Sequence, residues 1–126
     1  MPSDCEVLHH ARQTLSRGWT QKGHSDAQGG YCIVGALCRA LGEPDGIEDQ
    51  LPDEERPMLA RALLAIGEVL PSYENAAVPL GARLVAWNDA AGRQRREVIA
   101  LIDAAIQRRT AVADKRPAEV MSALVG

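Results

Sequence analysis

Cys32, His24, Asp26, Asn88 and Asp89 are the residues of this chain whose types could combine into covalent chemistry. A cysteine at a helix N-terminus has its thiolate favoured by the unpaired backbone amides there. With a histidine as base and an acidic or amide side chain to orient it, that is the make-up of a thiol nucleophile in a cysteine-dependent hydrolase or transferase. The order of the residues argues against it. His9, His10 and His24 all precede Cys32, whereas a papain-like arrangement needs a histidine downstream. Small residues around a cysteine that opens an apolar helix also describe a core thiol. The catalytic set Cys32, His24 and Asp26 is therefore the alternative, and a structural Cys32 is the favoured reading.

Other chemistries are weaker. Cys32 and Cys38 lie six residues apart, about 240° round a helix, so one helix cannot direct both at one ion. Cys5 and His9 have i,i+4 spacing with His10 beside them, but two ligands are not a metal site. No metal and no cofactor is expected. Arg93, Arg95, Arg96, Arg108 and Arg109 invite a nucleic-acid reading, with Arg93–Arg96 as the basic patch, but no aromatic residue is interleaved for stacking. Pairing of these arginines with the acidic stretch Gly42–Glu55 accounts for them as well. No phosphate-cradling glycine loop of the GxxxxGKS/T or GxGxxG type occurs. Gly29-Gly30 before a helix is only a weak anion feature.

The elements that must position these residues are helical. A chain of 126 residues supports one core, and with no Phe and only two Trp and two Tyr, that core must be filled by Leu, Ile, Val and Ala. The net charge of -3 argues mildly against an obligate nucleic-acid binder. The charge is uneven: from Arg93 onward seven basic residues face four acidic ones, giving +3 and leaving -6 for residues 1 to 92. Three cysteines without a CxxC pair, no secretory segment and no membrane-length apolar window together predict a cytoplasmic protein with reduced thiols.

Apolar spacing predicts a first helix from Ser3 or Asp4 to Arg17, stopped by Gly18, with Val7, Leu8, Ala11 and Leu15 inward. A polar loop follows from Trp19 to Gly30, with Trp19 as its anchor. The central helix, Gly30 to Leu41, is apolar on nearly every side and belongs inside the domain. It should pack between the first helix, the Leu59–Leu70 helix and the Val98–Ile106 helix. Gly35 sits where another backbone must come close. Pro57 forces a kink or a fresh start for the helix to Leu70, and PSYENAAVP, Pro71 to Pro79, is a turn. A short helix runs from Pro79 to Trp87, and Asn88 and Asp89 turn the chain into a closing helix from Arg93–Arg96 to about Ala113. Pro117 then begins a separate terminal helix bearing Val120, Met121 and Leu124.

Two blocks taken together, GWTQ…GGYCIVGAL (Gly18–Leu37) and WNDAAGR…EVIALIDAAI (Trp87–Ile106), resemble a family of small uncharacterised proteins from actinobacteria and their phages. Its members share a tryptophan at the loop start, a Cys-x-x-Gly-Ala-Leu helix and a Trp-Asn-Asp turn before a closing helix. The resemblance implies no activity. Where the family has a Thr shortly after the Gly-Arg step, this chain has Gln94 and Arg95, so the N-cap expected there is lost or replaced.

The expectation is an all-α, compact orthogonal or irregular bundle of five to six helices around a buried central helix. It forms a single domain over 1–126, with 114–126 loosely attached or swapped onto a partner chain. The favoured function is a small non-enzymatic interaction or accessory protein, with a protein partner or a homodimer and no membrane. Its candidate binding surface is Trp19, Lys22, His24, Asn88, Asp89, Arg93, Arg95 and Arg96.

Overall fold

The computed structural model describes residues 3–71 and 77–125, with side chains described through residue 111. It is an all-α bundle of five α-helices in these residues: α1 (Asp4–Arg17), α2 (Ile33–Ala40), α3 (Arg56–Gly67), α4 (Leu80–Asn88) and α5 (Arg95–Val125). Two 3-10 turns, Glu48–Gln50 and Asp53–Glu55, carry the acidic stretch between α2 and α3.

Helix α1 begins where the Ser3 hydroxyl accepts from the Glu6 amide at 3.2 Å, with Asp4 and Glu6 complementing the positive end of the helix. Val7, Leu8, Ala11 and Leu15 are buried on one stripe. The stop is not the left-handed turn that glycine usually supplies. Gly18 is extended, and glycine is needed because a Cβ there would lie 3.0 Å from the Gly30 Cα.

Helix α2 is shorter than expected, because it begins at Ile33 with Cys32 as its N-cap, and not at Gly30. Ile33 to Cys38 are all buried, as an apolar helix requires. It closes in a Schellman motif: Gly42 has φ +100°, its amide donates to Arg39 O at 3.0 Å, and the Glu43 amide donates to Cys38 O at 3.0 Å. Its neighbours are α1, α4 and α3, while α5 packs on α1 and α3. The centre is thus shared between α1 and α2. The expected seat of α2 against the closing helix is taken largely by α4.

Pro57 makes a fresh start, lying in the first turn of α3, where its missing N–H has no partner to lose. The helix ends at Gly67, one turn before Leu70, with Leu59, Leu63 and Ile66 buried. Within PSYENAAVP, residues 72–76 lie outside the described residues. Pro79 caps α4, which buries Leu84 and Trp87.

Helix α5 departs most from expectation. It runs unbroken from Arg95 to Val125, past Pro117, so no separate terminal helix begins there. The side chains of Val120, Met121 and Leu124 lie outside those described. Val98, Leu101, Ile102, Ala105 and Ile106 are buried as their spacing predicts. Glu97 replaces the missing Thr cap by accepting from the Gln94 amide at 2.9 Å, which is one half of a capping box.

Ion pairs tie the outside of the bundle. Arg12 on α1 meets Asp103 on α5, and Glu68 after α3 receives Arg108 and Arg109, with Arg109 also 4.0 Å from Asp4. Arg108 and Arg109 thus pair with Glu68 and Asp4 and not with the acidic stretch Gly42–Glu55. Among the described residues, no helix is long and apolar enough to cross a membrane.

Candidate functional site

Residues 19–31 form a loop whose two ends meet. The Tyr31 amide donates to Gly18 O at 3.2 Å, and the Thr20 amide donates to Tyr31 O at 3.1 Å. Such a closed surface loop is packed by its own side chains and by the element beneath it. The element beneath is the C-terminal end of α4.

Asn88 joins the two. It is fully buried, and a buried amide must find partners for its oxygen and its NH2 group. Its Oδ1 accepts from the Trp19 indole at 2.8 Å and from the Ile33 amide at 3.1 Å, and its Nδ2 donates to Thr20 O at 3.1 Å. One side chain therefore fixes the loop start, the loop backbone and the first turn of α2. Asp89 continues the clasp by accepting from the Lys22 amide at 2.9 Å, which holds Lys22 at φ +63° in the left-handed region. Gln21 reaches back, donating to the carbonyls of Asn88 and Ala90 at 3.0 Å each. Spacing gave no sign of Gln21, because its partners lie 67 and 69 residues away.

The far side of the loop is set by Asp26. Its Oδ1 accepts from the amides of Gln28 and Gly30 at 3.0 and 2.7 Å. The Gly30 amide above all holds the Asp26 carboxyl below the usual carboxylate range. Asp26 is thus an organiser of a turn. It neither reaches Cys32 nor orients His24, so the structure does not bring the alternative catalytic set together.

Cys32 is 2% exposed, and its Sγ accepts from the Gly35 amide at 3.2 Å, serving as the cap of α2. Burial pushes its thiol up from the ordinary value; the Gly35 and Val34 amides oppose that shift and the Asp89 charge adds to it. A nucleophilic thiol needs the opposite shift. The His24 imidazole is exposed and makes no hydrogen bond to the sulfur. It is the His24 backbone that meets this site, its carbonyl accepting from the Cys32 amide at 3.1 Å. That carbonyl also explains Gly35, since a Cβ there would collide with the His24 oxygen. A shallow concavity of about 260 Å3 lies over the cysteine, lined by Lys22, Gly23, His24, Cys32, Val85 and Asp89.

The arginines divide. Arg93 lies 4.0 Å over the Trp87 ring, donates to Trp87 O at 2.9 Å and pairs with Glu97 at 3.1 Å. Arg95 donates to Ser16 O at 3.3 Å, and Arg96 is exposed. Two members of the Arg93–Arg96 patch, Arg93 and Arg95, are thus bonded within the fold. No group of three or more metal-ligating side chains is found among the described residues.

The surface left after these commitments is residues 22–29, all of them exposed, with Lys22, His24 and Asp26 held by the bonds described above.

The model of one protein family matches residues 1–108, and the chain belongs to that family, described as a family of unknown function (DUF6197). The matched stretch holds the whole clasp and every buried core residue among those described, the last being Ile106. No curated protein and no solved structure matches the chain.

Proposed function

We propose that the protein acts by binding and not by covalent chemistry, as a small interaction protein that presents residues 22–29 to a protein partner, with a second copy of the chain as the first candidate. One observation carries this reading: Asn88 and Asp89, which could have oriented a base beside Cys32, spend their hydrogen bonds on holding the loop in place. A loop fixed in this way loses little further entropy when it is bound. Cys32 caps a helix in the same arrangement, with a thiol that burial makes less acidic.

Thiol labelling of the native protein with iodoacetamide tests the non-catalytic part. Cys5, which is partly exposed, should react ahead of the buried Cys32 and Cys38. Preferential labelling of Cys32 would overturn the reading and favour a thiol hydrolase or transferase using His24. Light scattering tests the partner. A dimer that His24→Glu converts to monomer, with an unchanged far-UV spectrum, supports self-association through this loop. A monomer at all concentrations assigns the loop to a different protein.

A further inference from the structure

We propose that a cleft between the last turns of α1 and α2 binds a small phosphorylated molecule through its phosphate group. The cleft has a volume of about 300 Å3 and is lined by His10, Gln13, Thr14 and Arg17 from α1, by Arg39 and Ala40 from α2, and by Gly29. That size falls at the lower end of small-molecule sites. It shares only Gly29 with the loop proposed to meet a protein partner, so the two readings stand independently.

Charge carries the argument. The lining contains two arginines and a histidine and no carboxylate, in a chain whose net charge is -3. Arg12, Arg56, Arg93, Arg108 and Arg109 each pair with an Asp or Glu. Among the described residues, Arg17 and Arg39 have no such partner, as is also true of Arg61, Arg83, Arg95 and Arg96, and Arg17 and Arg39 reach the cleft from different helices. Asp26, three residues from Gly29, has its carboxylate engaged by the amides of Gln28 and Gly30. Two guanidinium groups converging on one opening match the oxygens of a phosphate, each able to donate two hydrogen bonds in a fixed fork. The Gln13 amide, the Thr14 hydroxyl and the His10 imidazole supply further donors. No Phe, Tyr or Trp side chain lines the cleft, and recognition rests on the anion itself.

The test is an amide and arginine side-chain NMR titration of the full chain with inorganic phosphate, glycerol 3-phosphate, adenosine monophosphate and succinate. The expected result is saturable shifts confined to His10–Arg17, Gly29 and Arg39 with the phosphates. Glycerol 3-phosphate binding more tightly than inorganic phosphate assigns an ester as the ligand; equal binding assigns free phosphate. An Arg17→Gln, Arg39→Gln double variant should lose about tenfold or more in affinity, with an unchanged far-UV spectrum and melting temperature. Three outcomes would overturn the proposal: no saturation, equal binding of succinate, or binding that survives in the double variant. A double variant that melts lower, with no saturation in the parent, would mean that the two arginines serve only the helix C-termini.

Discussion

Trp19 and Asn88, 69 residues apart, share a 2.8 Å hydrogen bond from indole to amide oxygen, and the same oxygen receives the Ile33 amide at 3.1 Å. Asn88→Ala would leave both donors and the Thr20 carbonyl without this partner, the Ile33 amide in a buried site and the other two in a part-buried one. The expected loss is about 3 kcal/mol or more, read as a lower urea midpoint at unchanged slope. Asp89→Ala removes one acceptor at a partly exposed position and should cost about 1 kcal/mol. Amide exchange at Lys22 should speed up in both variants. Equal losses would show that burial of the Asn88 hub is not what holds the loop.

Gly35 and His24 make a second contact that tolerates no side chain. Alanine is the better helix former by about 1 kcal/mol, so propensity alone predicts that Gly35→Ala stabilises α2. The collision with the His24 carbonyl reverses the sign, because the Cys32 amide and the loop behind it pin that carbonyl. The expectation is a loss of about 2 kcal/mol. Gly23→Ala, whose Cβ would meet nothing closer than 3.6 Å, serves as the control. Its effect should stay within about 0.5 kcal/mol. Thermal melts of the two variants decide it.

The parts of this fold that were readable from sequence are those with a period. The inward stripes of α1, α3 and α5 follow from spacing, as does the burial of Ile33 to Cys38 in α2. Gly35 was readable as a place of close approach, although its partner was not. Asn88 and Asp89 were readable as turn formers, since both types bind nearby backbone. Their partners were out of reach, because a side chain that bonds to groups 55 to 69 residues away leaves no pattern in either segment. Gln21 was missed for the same reason. Pro117 misled because the usual cost of an interior proline predicts a break, and α5 continues through it. Arg17 and Arg39 were passed over because they sit on different helices, and only the packing of α1 against α2 brings them to one cleft.

Cys38, through its burial, should make stability fall at alkaline pH. It is fully buried, and burial above all raises its thiol from 9.0 to about 12, with nearby negative charge adding to the shift. The unfolded chain gives up this proton near pH 9.0, whereas the native state holds it up to about 12. Between those values the native state binds more protons, so the stabilisation present below pH 9.0 is lost as pH rises. Cys32 is shifted in the same direction. Urea denaturation across this range should show a steeper decline for the parent than for Cys38→Ala. Parallel declines would mean that other groups account for the slope.

Arg93 and Arg96 look alike in sequence and should behave differently. Arg93 stacks on Trp87, donates to the Trp87 carbonyl and pairs with Glu97, whose other oxygen caps α5 through the Gln94 amide. It therefore links the end of α4 to the start of α5, and its partner Glu97 offsets the unfavourable placing of positive charge at a helix N-terminus. Arg93→Ala should cost about 2 kcal/mol through the lost stacking and hydrogen bonds. Arg96→Ala, on an exposed face, should stay within about 0.5 kcal/mol. The same pair tests the nucleic-acid alternative. If Arg95 and Arg96 form a phosphate-binding surface, retention on single-stranded DNA at low salt should weaken in Arg96→Ala and change little in a folded Arg93 variant. Absence of retention in the parent protein would remove that alternative, and equal stability losses in the two variants would contradict the structural role given to Arg93.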